Sequence, residues 1–433
     1  MKRPVILVTG ANAGLGLGLC KRLLIQLSNP VPPDSAALDI PRRDAAGTPF
    51  DARDGCTLLL ACRNQAKAEA AKLELQELLF QLSHSDDELI QSNRSPNIWP
   101  NASSSSVNDN KPLRKREYET KLGAPLEMRN SDALLKYRQS FCAGTKIKIV
   151  SLDLSSVAST KDCARVVASE FPYLTHLVLN AGGASWTGIN WVRATWEIVT
   201  NLHKAVTFPS YKLQRSGEVS KDGFGWVWQI NVGGHYLLAH ELESLLRASP
   251  YATPSRIIWT GSLEANPNDF HANDFQCLNP KLSTNPYEST KYQCELTSLA
   301  MDERFLAHEQ PPALRSFTAH PGIVATSIFS GVIPAIMVIM MKCVFFLARW
   351  TFSPHHPIDA YKGAVAASFV AVAPAEYLDG NVRYGAQATW SGHEYVHADR
   401  LLGWQDSADG SPDPRILGTA RDLIASYDRV LDV

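Results

Sequence analysis

The stretch "NPYESTKYQ", residues 285–293, places Tyr287 four residues before Lys291. On a helix that spacing puts both side chains on one face. A phenol can hand a proton to a developing alkoxide, but its ordinary pKa of about 10 is high for transfer at neutral pH. An ammonium beside it would favour the phenolate and lower that value. Ketone reduction needs a hydride on carbon and a proton on oxygen, and such a pair would serve the proton half. Any exposed helix also displays tyrosines and lysines four apart, so the rest of the chain has to decide.

The hydride half points to the first turn, "TGANAGLGLG", with Gly10, Gly14 and Gly16 between an apolar run and a helical one. Glycines there let the backbone turn tightly and approach a pyrophosphate, and the helix N-terminus offers free N–H groups. A glycine triplet equally marks a tight strand–helix turn; its position after the first strand favours the dinucleotide. The second apolar run ends "LACRN", where an NAD-selective protein usually carries an acid for the ribose 2′-hydroxyl. Here Cys62 is followed by Arg63. A guanidinium suits a 2′-phosphate, so NADPH/NADP+ is the expected cofactor. A solvated surface arginine is the alternative, with Lys67 or Arg53 then next in line. Asp153, in "SLDLSS", could accept from an adenine amino group or cap a helix.

The elements that must hold these residues follow an alternating pattern. Apolar runs at "VILVTG", "TLLLACR", "KIKIVSLDL", "HLVLNAG", "RIIWTGS" and "RSFTAHPG" are separated by helical sequence such as "AKAEAAKLELQELLFQL". Short buried strands alternating with helices predict a Rossmann-like α/β fold, a doubly wound parallel sheet with helices on both faces. Residues 29–55 and 83–140 are polar, proline-containing and without sustained periodicity. They read as surface insertions, partly disordered, in a single domain.

The chain has 433 residues, 45% of them hydrophobic, enough for one large core, and a formal net charge of −1. That balance gives no footprint for nucleic acid. Eight scattered cysteines without a CxxC pair read as reduced thiols in a cytosol-facing protein, with no metal site. "MKRP" runs straight into the first strand, so no export signal is expected.

Further pieces stand in order: "LVLNAGG", "WQINVGGHY", "IIWTGS", "YESTK" and "HPGIVATS". With the glycine turn, this ordered set resembles the short-chain dehydrogenase/reductase family over roughly residues 4–28, 56–82, 145–183 and 224–328. The resemblance implies Tyr287 as acid, Lys291 as its partner, Ser262 as donor to the substrate oxygen, and Asn231 as holder of a water linking Lys291 to solvent. It carries cofactor contacts onto Thr9, Gly10, Asn12, Gly14, Leu15, Gly16, Arg63, Asp153, Asn180, Ala181, Gly182, Tyr287, Lys291, Pro321, Gly322, Val324 and Thr326. One departure is spacing. Ser262 and Tyr287 lie 25 apart, about twice the family's usual interval, so the intervening residues must form an insertion over the site.

That insertion, together with "KDGFGWVWQINVGGHYLLAHELESLL", resembles the sterol 3-keto reductase subgroup. The subgroup implies NADPH-dependent reduction of a 3-keto sterol to the 3β-alcohol during C-4 demethylation. Implied partners are the sterol substrate, a C-4 methyl oxidase, a C-3 sterol dehydrogenase and a scaffold protein. The implied location is the cytosolic face of the endoplasmic reticulum membrane, with lipid droplets as a second site. "IFSGVIPAIMVIMMKCVFFLARW", residues 328–350, is rich in large apolar side chains but interrupted by Pro334 and Lys342. A central charge costs a few kcal/mol in a spanning helix. The stretch therefore reads as a lid or an interfacial helix with Lys342 reaching the headgroups, or as an ordinary buried helix over the site. Trp186, Trp191 and Trp196 could line the same apolar entrance or sit in the core. A reductase of another lipid-like ketone or aldehyde, such as a retinoid or terpenoid, and a non-catalytic scaffold remain as competing readings.

Overall fold

The computed structural model describes residues 2–36, 48–84, 131–308, 311, 313–325, 335–405 and 413–433. The six apolar runs form strands β1 (Val5–Thr9), β2 (Thr57–Cys62), β3 (Lys146–Ser151), β4 (His176–Leu179), β7 (Ser255–Thr260) and β8 (Leu314–His320). Between them lies a two-stranded hairpin, β5 (Trp186–Ile189) with β6 (Lys212–Gln214). Neither that hairpin nor the two further strands of the main sheet, β9 (Val382–Ala388) and β10 (Glu394–Arg400), was anticipated from the sequence. The main sheet runs β10-β9-β8-β7-β4-β1-β2-β3, and all its pairs are parallel except β9 with β10. β1 is buried along its whole length, as a central parallel strand must be. Val5 and Leu7 face one core layer, Ile6 and Val8 the other.

The chain builds β1, β2 and β3 outward, then returns to place β4 on the other side of β1. Such a reversal opens a crevice beyond the carboxyl ends of the strands, where doubly wound sheets take ligands.

The helices are α1 (Gly14–Leu27), α2 (Gln65–His84), α3 (Ser131–Gly144), α4 (Val157–Glu170), α5 (Trp191–Thr200), α6 (Leu202–Thr207), α7 (Gly234–Glu241), α8 (Pro286–His308), α9 (Ala335–Trp350), α10 (Val365–Val372) and α11 (Pro414–Leu431). α2 shows why they dock: Ala68, Ala71, Leu75, Leu78, Leu79 and Leu82 are its buried residues, a stripe at helical spacing. Each such leucine contributes roughly 1.5–3 kcal/mol on burial.

The ends of both expected insertions belong to the framework. From the first, Asp34 grips Arg22 through two hydrogen bonds of 2.6 and 2.7 Å, and Arg22 also reaches Glu394 at 3.0 Å. Phe50 is buried against His176. The second ends in α3, whose Phe141 is fully buried. Residues 37–47 and 85–130 lie outside the described residues.

Candidate active site

The cofactor end is built by the turn from β1 into α1. Gly10 and Gly14 hold positive φ, 66° and 52°. A Cβ on Gly16 would stand 2.3 Å from the Gly10 carbonyl oxygen, so only glycine fits there. Ala13, which precedes the helix, offers no side-chain cap. The first-turn N–H groups are thus left for an anion, together with the positive end of α1. Asn180 closes the turn from β4: its Nδ2 donates to the Thr9 carbonyl at 2.9 Å. The Thr9 side chain is buried and does not line the cleft, a correction to its assignment as a cofactor contact. Its hydroxyl accepts from the N–H groups of Asn180 and Ala181, both at 2.9 Å, and so ties β1 to β4.

Arg63, Asn64 and Lys67 form an exposed polar corner at the end of β2, all on the cleft wall. Asp153 lines the cleft as well, but its carboxylate accepts from Ser155 N and Oγ at 3.0 and 2.6 Å. It shapes the turn into α4, which Ser156 caps. Gly10, Asn12, Gly14, Leu15, Gly16, Asn180, Ala181, Gly182, Pro321, Gly322 and Val324 all line the same cleft, of about 1020 Å³. Thr326 lies outside the described residues.

Tyr287 and Lys291 sit on the first turns of α8, and the ammonium lies 5.8 Å from the phenol ring centre. Ser262, just beyond β7, lies with Tyr287 on the cleft wall despite the 25-residue separation. The insertion between them is folded by Asp274, whose carboxylate takes the N–H groups of Leu278 and Asn279 and the Ser283 hydroxyl. Lys291 is buried and donates to the Thr260 carbonyl at 2.8 Å. Burial pulls its pKa down. The expectation that Lys291 depresses the phenol is corrected. Burial pushes the Tyr287 phenol well above its ordinary range, Glu264 adds to the rise, and Ser262 opposes it.

Asn231 lies in a π-turn, Gln229–Gly233, that leads into α7. Such turns recur at functional sites. Its side chain clamps Gly183, accepting from the N–H at 3.0 Å and donating to the carbonyl at 2.9 Å. Its own carbonyl accepts from His235 Nδ1 at 3.1 Å, which leaves Nε2 to accept from the Thr9 hydroxyl at 2.9 Å. Burial pushes His235 down to about 3, so it is neutral and serves as a strut between the glycine turn and Asn231.

Sequence reasoning missed the group beneath the phenol. Lys212 of β6 is buried against Glu264 and lies 3.7 Å from Glu288. Its ammonium also stands 4.3 Å from the Trp186 ring centre. Gln214 binds both Glu288 and the Tyr287 N–H. Glu264 and Glu288 stand two and one residues from Ser262 and Tyr287, and that adjacency was the available signal. The substrate end is apolar, walled by Trp186, Ile189, Trp191 and Ile198 on one side and by Met337, Met341 and Val344 of α9 on the other. Trp196 is exposed and does not reach it.

A dinucleotide cradle beside a serine and a tyrosine on one cleft wall, with a buried lysine, defines an oxidoreductase of the short-chain dehydrogenase/reductase class. No family model matches the chain. Among curated proteins it is similar to 3-keto-steroid reductase erg27 of Aspergillus fumigatus, 30% identical over 92% of this chain and 82% of that protein. It is also similar to 3-keto-steroid reductase erg27 of Schizosaccharomyces pombe, 27% identical over 91% and 89%. The chain belongs to the 3-keto-steroid reductase family. Among solved structures, the RhlG/NADP active-site complex of Pseudomonas aeruginosa aligns over 88% of this chain and 93% of that chain, 14% identical, with a TM-score of 0.47.

Proposed function

We propose that the protein reduces the 3-ketone of a sterol to the 3β-alcohol with NADPH, at the stage of sterol synthesis where C-4 methyl groups are removed. The observation that carries this is the placing of Ser262 and Tyr287 where the glycine-turn half of the cleft meets its apolar half. The glycine turn, the uncapped start of α1 and the Arg63–Lys67 corner fit a phosphorylated dinucleotide. When bound, NADPH supplies the hydride that goes to the ketone carbon.

The chain's own groups handle the oxygen. Ser262 donates to the ketone oxygen and orients it. The Tyr287 phenol, held protonated by burial and Glu264, delivers its proton as negative charge develops there. Lys291, anchored on Thr260, sets its charge behind the phenol and stabilises the phenolate left by transfer. Trp186 lies beside Tyr287 with its ring tilted by 52° at a centroid separation of 5.5 Å, an apolar neighbour to the phenol.

The described helices include none long and apolar enough to cross a membrane. α9 is a 16-residue helix with Lys342 exposed. Attachment at the cytosolic face of the endoplasmic reticulum or on lipid droplets fits an interfacial α9, and residues 328–334 lie outside the described residues. The C-4 methyl oxidase, the C-3 sterol dehydrogenase and a scaffold protein are proposed as partners on the same ground of shared intermediates.

The test is turnover of purified protein with NADPH and a panel of 4-methyl-3-keto sterols, retinaldehyde and terpenoid ketones. Preferential NADPH oxidation with the sterol ketones is expected. A preference for the retinoid or terpenoid would move the substrate assignment, and absence of turnover with every ketone would end the enzymatic reading.

A further inference from the structure

α5 is amphipathic in an unusual sense. Trp191, Ala194 and Ile198 line the cleft, and yet the other side of the helix is apolar too. Val192, Trp196 and Val199, spaced along one face, are 84%, 69% and 78% exposed. α9 repeats the pattern. Met337, Met341 and Val344 line the cleft, while Ile339, Leu347 and Trp350 point outward, followed by exposed Phe352. The two faces form one surface, because α6 joins them. Its Val206 packs in a cluster with Phe345 and Ala348, and His203 Nε2 lies 2.7 Å from the Thr351 hydroxyl. The cleft opens between the two helices.

The charge on this surface is mainly basic. α9 carries no acidic residue, and α5 with α6 carries only Glu197. That carboxylate is occupied by Ser210 and Arg193. Lys204 and Lys342 stand exposed. On a chain of net charge −1, a basic apolar face is a local feature rather than a general excess of charge. Large apolar side chains, tryptophans and lysines together suit the headgroup–acyl boundary of an anionic bilayer.

We propose that α5 is the second foot of a bilayer-docking surface completed by α9, and that the ketone enters the cleft between them directly from the lipid. This deepens the proposed sterol reading, on which the lipid route of the substrate rests. Docking through α5 itself rests on exposure and charge alone.

The experiment is flotation of the full-length protein with phosphatidylcholine vesicles, with and without phosphatidylserine. The variant is Val192→Ser/Trp196→Ser/Val199→Ser, three exposed positions off the cleft wall. The variant should lose vesicle binding by about tenfold or more, because interfacial affinity scales with buried apolar area. NADPH binding and turnover of detergent-delivered ketone should match the wild type, whereas turnover of vesicle-borne ketone should fall with the binding. Lys204→Glu should weaken binding only to the phosphatidylserine-containing vesicles. Unchanged flotation of the triple variant overturns the proposal, leaving α9 as the sole foot. So does a wild-type protein that ignores vesicles but forms a dimer the triple variant dissolves, which would make the face a contact between copies. A wild type that floats but turns over no sterol ketone in detergent overturns the substrate assignment and leaves α5 docking standing.

Discussion

Lys212→Met takes the ammonium out from between Glu264 and Glu288. The lysine side chain is 5% exposed and the two carboxylates 17% and 14%, so water cannot fully compensate. Breaking a buried ion pair from one side costs about 3–5 kcal/mol, and the partial exposure of the glutamates places this case near 3. That is a large share of the roughly 5–15 kcal/mol that holds an ordinary domain together. The loss should depend on pH. The Glu288 carboxyl already titrates above its ordinary range, through burial and Glu264, with Lys212 opposing the rise. Without Lys212 it rises further. A carboxyl raised in the folded state contributes stability below its unfolded pKa and loses it as pH rises through the folded value. The deficit should therefore be greatest at mildly alkaline pH and shrink on acidification. Urea denaturation at several pH values measures it. Lys212→Met/Glu264→Gln should recover more than half, because one of the stranded charges is gone. In turnover assays the single variant should lower kcat more than it changes KM, since the phenol becomes harder to ionise as its proton leaves. A pH-independent deficit below about 1 kcal/mol, in the range of exposed pairs, would show the cluster to be solvated and the reasoning wrong.

Tyr287→Phe should reduce turnover by about a hundredfold or more, the usual weight of a general acid, while fluorescence titration shows NADPH still bound. Retention of a tenth of the activity would send the search to another donor. Arg63→Ala should weaken NADPH by roughly 1.5–3 kcal/mol, the range for a charge-assisted hydrogen bond, and leave NADH nearly untouched. An unchanged ratio of the two dissociation constants would shift the assignment to Lys67, which shares the corner. Glu295, one turn beyond Lys291, is fully buried beside Arg383 at 3.2 Å, and burial raises its pKa to about 7. Its contribution is present below its unfolded value and lost as pH rises through 7, a difference of about 3 kcal/mol. Glu295→Gln should thus lose part of the wild-type decline in stability between about pH 4.5 and 7, read as melting temperature across that window. Parallel curves for the two proteins would contradict the assignment.

What was legible in the sequence depended on how local the physics was. The glycine turn is read from three residues because Gly10, Gly14 and Gly16 answer to backbone geometry alone. Five of the six strands read from apolar runs, β1, β2, β4, β7 and β8, are central and buried on both faces; β3 is an edge strand, and its isoleucines alternate with exposed lysines. β9 and β10 escaped for the converse reason. "VRYGAQA" and "EYVHADR" mix glycine, charge and aromatics, and β10 is an edge whose burial comes from the neighbour it pairs with. α3 escaped because its helical stripe follows a long polar stretch and is defined only by α2. At the site, the structure brings Tyr287, Lys291 and Ser262 to one cleft wall, but burial and Glu264 raise the phenol where the lysine alone would lower it. Helical spacing says that a lysine is near. It does not say that the lysine is tethered to Thr260, or that Glu264 and Glu288 crowd the same phenol. Those carboxylates arrive from an insertion and from the catalytic helix itself, and Lys212 is brought to them by a hairpin some 75 residues before Tyr287. A pKa is a sum over everything that folding brings within a few ångströms. A sequence motif fixes the two partners nearest in the chain, and here the sign is set by burial first and by Glu264 after it, both of which only the tertiary fold supplies.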